Sequence, residues 1–158
     1  LGPGELLVGL AAAGMTRGLI VGIVTALVLV VFGGGTLPSH PFTALGFVIL
    51  GALAMSFAGV LAGIWANKFD ELAAVTNFVV QPLTFLSGTF YSVDRLPAPF
   101  DVIASLNPVF YTIDGFRFGM IGAADRPLLT GVYSLFLVNA VLAIFCYKAF
   151  HSGYRLKS

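Results

Sequence analysis

Long stretches without charge alternate with short polar turns along this chain of 158 residues. Residues 18–38, 42–66, 72–93 and 128–147 contain no Asp, Glu, Lys or Arg. A helix needs about 20 mainly apolar residues to cross a bilayer. The pattern therefore predicts four membrane-spanning helices, at about residues 18–32, 42–66, 72–91 and 128–147.

The stretch between the third and fourth predicted spans is too apolar for an ordinary loop. A Pro-Ala-Pro run at residues 97–99 opens a first segment, and Asn107-Pro108 closes it. In the second segment, Asp114 and Arg117 stand three apart, as a helical ion pair requires. Apolar residues recur there with the period of an amphipathic helix, at Val109, Ile113, Phe116 and Met120. We predict two short re-entrant helices at about residues 97–121.

Composition supports this picture of an all-α polytopic membrane helix bundle. The chain is 58% hydrophobic and 9% charged, whereas soluble domains carry about 25% charged residues. Residues 1–158 leave no room for a separate soluble domain, so we expect a single transmembrane domain. The net charge of +1 and the scattered basic residues exclude nucleic acid as an expected partner.

Polar side chains inside the third predicted span are the first candidates for function. Asn77 and Gln81 stand four apart on one helix face, and Ser87 lies further along, where Gly88 should loosen the helix. Polar groups at membrane depth face protein or a water-filled path. Two interpretations stay open for the amide pair: a hydrogen bond between helices, or a lining of a transport path. Pro82 is expected to kink this helix.

Small residues recur every four positions in two spans, at Gly14, Gly18 and Gly22 and again at Gly59 and Gly63. This spacing lets helices approach closely in lipid. It fits packing within the chain and equally a subunit interface. Cys146, the single cysteine, is expected to be a buried apolar filler.

Basic residues near the spans predict the orientation, because they prefer the cytoplasmic side. A basic C-terminal tail of Lys148, Arg155 and Lys157 places the C-terminus in the cytoplasm. Four spans then place Arg17 and Lys68 on the same side. The outer side receives Arg95, Arg117 and Arg126.

The sequence contains no set of residues that would make this chain an enzyme. It lacks a Gly-x-x-x-x-Gly-Lys-Ser/Thr run, so it has no Walker loop for ATP. Ser39-His40 stands beside a Gly/Pro-rich turn without a third catalytic group. His40 and His151 are predicted on opposite sides of the membrane, so no metal site is expected. No catalytic, cofactor or metal-binding residue is therefore predicted, and uphill transport would need energy from a partner.

One motif set resembles a known family. It comprises Pro82, Phe85, Ser87, Gly88, Phe90, Tyr91, Leu96, Pro97, Leu106, Asn107, Pro108, Tyr111, Asp114 and Arg117. This set is similar to the signature of the ABC-2 type permeases, the membrane subunits of ATP-driven exporters. The run at residues 113–119 and the ending at 153–157 are most similar to the YadH-like and NodJ-like branch.

The resemblance implies a fold, partners and a location. It implies a permease with a cytoplasmic ABC ATPase partner that binds ATP and Mg, a second permease copy, and surrounding lipid of the bacterial inner membrane. It also implies about six spans in the family, so the chain is expected to be a C-terminal part lacking two. Polysaccharides, lipo-oligosaccharides and drugs all remain open as cargo.

The resemblance also implies roles for individual residues. The segment before the first span, with Glu5 and Arg17, would contact the ATPase; an interfacial anchor is the alternative for Arg17. Asn77, Gln81, Ser87, Asp114 and Arg117 are candidates for the transport path or outer gate. For Asp114 and Arg117, closing of the re-entrant hairpin is the structural alternative. The rival function of another class is a membrane anchor that holds another complex together without transport.

Overall fold

A computed structural model describes residues 2–32, 37–89, 91, 95 and 97–152 of the chain. Every regular element in these ranges is helical, and no strand occurs among them. The elements are α1 (Pro3–Phe32), α2 (Pro41–Trp65), α3 (Phe69–Val75), a π turn (Thr76–Val80), α4 (Gln81–Phe85), α5 (Phe100–Leu106), α6 (Pro108–Ile121) and α7 (Leu128–His151). The predicted all-α fold is confirmed.

Several sequence features fall outside the described residues. They are glycines 33–35 of the Gly/Pro-rich turn that precedes Ser39-His40, the family-like ending at 153–157 with Arg155 and Lys157, and Phe90 and Leu96 of the motif set.

Three helices of the described chain are long and apolar enough to cross a membrane: residues Pro3–Val28 of α1, all of α2 and all of α7. The first helix begins at Pro3, well before the predicted start at residue 18. Its glycine-rich opening weakens the helical pattern, but Leu7 and Ala11 are buried against other helices. Tertiary packing therefore outweighs the low helix propensity of glycine.

The third predicted span is helical without interruption from Phe69 to Phe85. Its middle is a π turn, in which the Gln81 N–H bonds to the Thr76 carbonyl. Pro82 cannot donate a backbone hydrogen bond, and its ring would clash with the carbonyl four residues earlier in a regular α-helix. The wider π turn accommodates this proline. None of the three helical pieces contains a buried residue, and the crossing of this segment stays a prediction.

Helix α1 runs antiparallel to α2, and α7 runs parallel to α2, with Leu50 beside Asn139 and Phe57 beside Cys146. The three helices enclose two clusters of buried side chains. The first cluster joins the N-terminal part of α1 to the C-terminal parts of α2 and α7, through Leu7, Ala11, Phe57, Cys146 and Phe150. The second lies at the opposite end of the bundle and consists of Phe47, Ala104, Phe110, Tyr111 and Leu135. Cys146 is fully buried, as predicted for a filler.

Helix α6 packs against the N-terminal half of α2 through glycine contacts. Side chains of one helix sit on glycines of the other in three successive pairs: Thr112 on Gly51, Phe47 on Gly115 and Ala44 on Gly119. The order of these pairs makes the two helices antiparallel. The backbone N–H groups of Ser39 and His40 then bind the last carbonyls of α6, over 3.2 and 2.8 Å.

Two short helices, α5 and α6, occupy the stretch where a re-entrant pair is predicted; their insertion into a membrane stays a prediction. The apolar stripe predicted helix α6, but it is not the face that packs. The buried face consists of Phe110, Tyr111, Asp114, Gly115 and Gly119. Gly115 and Gly119 allow the closest approach to α2, while Phe110 and Tyr111 fill the core beside them.

The predicted glycine stripes divide into packed and open positions. Gly14 meets Ser56 of α2, and a Cβ on Gly18 would stand 3.3 Å from the Ala52 Cβ. These two glycines therefore serve packing within the chain. A Cβ on Gly22, Gly59 or Gly63 would meet no atom within 4 Å.

Candidate functional site

Asp114 organises a polar junction at the α6 end of the bundle. The residue lies in α6 and is only 3% exposed. Its two carboxylate oxygens accept hydrogen bonds from backbone N–H groups of the loop that follows α6, from Asp125 over 2.8 Å and from Arg126 over 3.0 Å. A carboxylate in this position fixes the path of the chain from α6 into α7.

Arg117 extends the junction to a third segment. Its Nη1 lies 3.8 Å from Asp114 Oδ1, so the ion pair predicted from the spacing of three is present. A closer ion pair forms with Asp125 Oδ2, over 3.3 Å. Its Nη2 donates to the carbonyl oxygen of Gly88 over 2.5 Å. Gly88 has a φ of +74°, which glycine adopts without strain.

The junction therefore connects the turn after α4, helix α6 and the α6–α7 loop. Its carboxylates and guanidinium satisfy one another and nearby backbone groups, as charges need at low dielectric. Within the described residues, no group of three or more His, Cys, Asp or Glu side chains could hold a metal ion. The arrangement is suited to holding segments together.

Ser87 lies in the same turn but uses its hydroxyl locally. The side chain is fully buried. Its Oγ donates to the Thr84 carbonyl and shares a hydrogen bond of 2.8 Å with the Thr89 hydroxyl. These contacts shape the turn that presents the Gly88 carbonyl to Arg117. Its predicted place in a transport path stays a prediction.

Asn107 holds α4 against the start of α6, a role that sequence reasoning missed. Its Nδ2 donates to the Leu83 carbonyl over 2.6 Å, and its Oδ1 accepts from the Val109 N–H over 3.0 Å. The second bond is a helix cap, followed by Pro108 at the first helical position. The Asn-Pro pair signals the cap, but no local pattern reveals the contact with Leu83.

Asn77 and Gln81 lie on the exposed surface of the π turn and at the start of α4. Among the described residues, neither side chain forms a hydrogen bond with another helix. Their neighbour Phe78 is 81% exposed, so this face carries apolar and polar groups together. The first interpretation was a hydrogen bond between helices, and the structure shows none from Asn77 or Gln81 to another helix of the described chain. The lining of a path stays a prediction.

The two residues predicted to contact an ATPase occupy different levels of α1. Glu5 lies in the first turn and accepts the Gly2 N–H over 3.0 Å. Arg17 lies midway along the helix. The segment containing both is part of the bundle, because Ser56 of α2 donates to the Ala11 carbonyl over 3.2 Å. The contact of Glu5 and Arg17 with an ATPase stays a prediction.

Asn139 is a second polar residue that sequence reasoning missed. It lies in α7, is 6% exposed and donates from Nδ2 to the Leu50 carbonyl of α2 over 3.1 Å and to Leu135 over 2.9 Å. Its Oδ1 has no hydrogen-bond partner in the described chain. The sequence signal for this contact is a single Asn in an otherwise apolar run, because Asn side chains form hydrogen bonds between membrane helices.

A groove runs between α1 and α2 with a volume of about 610 Å³. It extends from the C-terminal end of α2 to the middle of the bundle. Its walls contain many small residues and few polar groups: Leu10, Gly14, Ser56, Gly59, Val60, Gly63, Ile64, Ala66, Asn67 and Phe150. The open glycines Gly59 and Gly63 thus face a space that no described side chain fills.

Helices of crossing length, glycine-mediated packing and a buried polar junction define a polytopic helical membrane protein. Comparison with known proteins identifies its family. The ABC-2 type transporter family matches residues 2–121, which include α1 to α6. The chain belongs to this family.

The inner membrane transport permease YadH of Escherichia coli K12 is 38% identical over 155 residues, which is 97% of this chain and 59% of that permease. Nodulation protein J of Rhizobium leguminosarum bv. viciae is 32% identical over 97 residues, which is 60% of this chain and 38% of that protein. The chain thus spans less than two thirds of the length of these relatives. No solved structure matches the chain.

Proposed function

We propose that the chain is part of a membrane transport permease that exports its cargo with energy from a separate ABC ATPase subunit. The family match over residues 2–121, together with three helices of crossing length, carries this proposal. The similar YadH is named an inner membrane transport permease, which favours a multi-pass location in the inner membrane. The chain itself performs no hydrolysis in this proposal; ATP and Mg bind to the partner.

Four crossings agree with the path of the chain between α2 and α6. Helix α2 ends at Trp65, yet Gly88 contacts Arg117 of α6 near the other end of α2. The chain between these residues must therefore travel back along most of α2, which is about 32 Å from Ala44 to Trp65. We infer that the helical pieces from Phe69 to Phe85 form the third crossing.

The charges at the two ends of the bundle support an orientation. Lys68 and Lys148 lie at the end where α2 and α7 finish, which we place in the cytoplasm with the C-terminus. The α5–α6 pair and its junction then lie at the outer side as a re-entrant hairpin. Glu5 lies at the cytoplasmic end and is the better placed of the two residues for contact with the ATPase.

Transport would involve a rearrangement of spans between two permease copies. The face of Asn77 and Gln81 would line the path, since its amides have no partner within the described chain. Asp114 and Arg117 would hold the outer hairpin as a gate, with Ser87 shaping the turn that Arg117 contacts. The cargo is left open by these residues.

Co-purification with an ATPase tests the proposal. The chain, within its full reading frame, is co-expressed with a candidate Walker-loop ATPase of the same organism, and the two are reconstituted in vesicles. We expect the two to purify together and the permease to change the ATP turnover of the ATPase, with a catalytically inactive ATPase as control. An ATPase that neither binds nor changes its turnover would favour the membrane-anchor function.

A further inference from the structure

Every backbone carbonyl at the C-terminal end of α4 has a hydrogen-bond partner. The last four carbonyls of a helix lack an N–H donor of the same helix, and each costs free energy if it is left unpaired away from water. The Leu86 N–H serves the Pro82 carbonyl over 3.0 Å. Side chains serve the other three: Asn107 Nδ2 donates to Leu83 over 2.6 Å, the Ser87 hydroxyl to Thr84, and the Tyr91 hydroxyl to Phe85 over 2.8 Å.

These donors come from two different parts of the chain. Ser87 and Tyr91 belong to the segment that follows α4, so they close the helix end locally. Asn107 stands 24 residues beyond the carbonyl that it binds, between α5 and α6. Arg117 of α6 donates to a further carbonyl of the turn, that of Gly88. All four donors belong to the motif set, which is thus gathered around one helix end.

Asn107 uses both halves of its amide, one for each helix. While Nδ2 donates to α4, Oδ1 accepts the Val109 N–H over 3.0 Å and caps α6. The side chain is 2% exposed, so water does not replace either bond. The amide is planar and its two polar atoms are rigidly connected. A rotation that releases one bond therefore also disturbs the other.

We propose that Asn107 couples the two helix ends, so that the C-terminal end of α4 and the first turn of α6 open and close together. Asn107 is then a positioning residue of the outer hairpin, and Tyr91 supports it by holding the end of α4 in place. The helical pieces from Phe69 to Phe85 and the α5–α6 pair would move as one unit, because separating them leaves polar groups at both ends without partners. The role in an outer gate rests on the proposed function, whereas the coupling is a property of the folded chain alone.

Hydrogen exchange of the purified full-length protein, read by mass spectrometry, tests the α4 side of this coupling. Asn107→Ser keeps a good helix cap for α6 but removes the donor to Leu83. We expect the Leu86 and Ser87 amides at the end of α4 to exchange about tenfold faster, through the loss of one hydrogen bond, while the Val109 amide keeps its rate. Asn107→Ala, which removes both bonds, is the matched comparison and should raise exchange at both helix ends.

A change on α4 alone tests whether the effect crosses to α6. Tyr91→Phe removes only the hydroxyl that serves the Phe85 carbonyl and should raise exchange about threefold at the end of α4. Through Asn107, the Val109 amide should exchange faster too, because coupling between two sites is reciprocal. In the Asn107→Ser background, Tyr91→Phe should leave Val109 unchanged. Tyr133→Phe in α7 is the control and should change neither helix end.

Two results would overturn the proposal. One is an unchanged exchange rate at Leu86 and Ser87 in folded Asn107→Ser protein. The other is an unchanged rate at Val109 in Tyr91→Phe protein, and this result is decisive even if Asn107→Ser does not fold. A chain that shows the coupling but changes the turnover of no candidate ATPase would refute only the proposed function.

Discussion

Asp114 shows how one buried side chain can hold the end of a membrane bundle. Its carboxylate accepts two backbone N–H groups and pairs with Arg117, so its removal leaves several buried polar groups unpaired. These partners belong to the chain's own loop and helix. They favour the structural interpretation of the residue over direct contact with cargo.

Replacing Asp114 with Ala should therefore lower stability before it affects transport. We expect a loss of about 3 kcal/mol, since breaking a buried charged pair exposes its partners to an apolar environment. Thermal unfolding of the purified protein in detergent measures the change. Asp70→Ala, at an exposed residue in the first turn of α3, is the matched control and should change stability by less than about 1 kcal/mol.

Export assays separate the remaining interpretations of Asp114. A variant that assembles in normal yield but does not export would indicate a direct role at a gate. Normal stability together with normal export would contradict both interpretations.

Residue type and spacing predicted the ion pair between Asp114 and Arg117, but not the other contacts of these two side chains. The spacing of Asp114 and Arg117 gave their mutual contact correctly. The contacts with Gly88, Asp125 and Arg126 join segments distant in sequence, and no local period encodes them. The same holds for Asn139, whose contact with Leu50 depends on how α7 packs on α2.

At the scale of elements, the contact between α2 and α6 depends on glycine. A Cβ at Gly119 would overlap backbone atoms of Ala44, whereas one at Gly115 would overlap only the ring of Phe47. Backbone atoms move only with the whole helix, whereas the Phe47 side chain can shift as a unit by rotation about its Cα–Cβ bond. The two glycines therefore differ in how much they tolerate a methyl group.

We predict that Gly119→Ala destabilises the protein more than Gly115→Ala does. The cost at Gly119 should be about 2–3 kcal/mol, in the range of overpacked cores. Gly63→Ala is the control, because its Cβ enters open space, and it should be neutral or stabilising by up to about 1 kcal/mol. Chemical unfolding in detergent compares the three, and equal costs at both packed glycines would contradict the proposed contact.

Sequence patterns located the helices better than their packing faces. Uncharged runs identified α2 and α7 nearly to their ends, because length and apolarity are local properties. For α6, the stripe with Ile113 and Phe116 predicted an amphipathic helix, but it did not reveal that the chain packs through Gly115 and Gly119. In lipid, hydrophobicity does not distinguish inside from outside, and small residues mark the positions where two helices approach most closely.

At the scale of the whole molecule, the two ends of the bundle differ in chemistry. One end carries Lys68 and Lys148 beside the groove mouth, and the other carries the α5–α6 pair with its network of acids and arginines. Helices α2 and α7 run parallel, so their C-terminal ends lie together, while α6 packs on the N-terminal half of α2 at the opposite end. This separation can be measured directly in cells.

Cysteine labelling should assign the two ends to opposite sides of the membrane. We expect Ala123→Cys, exposed after α6, to react with an impermeant maleimide added to intact cells, and Lys68→Cys to react only after the membrane is opened. The native Cys146 is fully buried, so background labelling should be low. The reverse pattern would invert the proposed orientation, and labelling of both from outside would contradict an odd number of crossings between them.

The π turn before Pro82 gives this molecule a means of rotation. It holds one surplus residue in an otherwise continuous helix, with the Gln81 N–H reaching back to Thr76. If the surplus slides along the helix by exchange of one backbone hydrogen bond, each residue that it passes turns by about 100° around the axis. The amides of Asn77 and Gln81 would then change the direction in which they point, while Asn107 keeps its hydrogen bond to the Leu83 carbonyl. The segment would remain helical throughout this change.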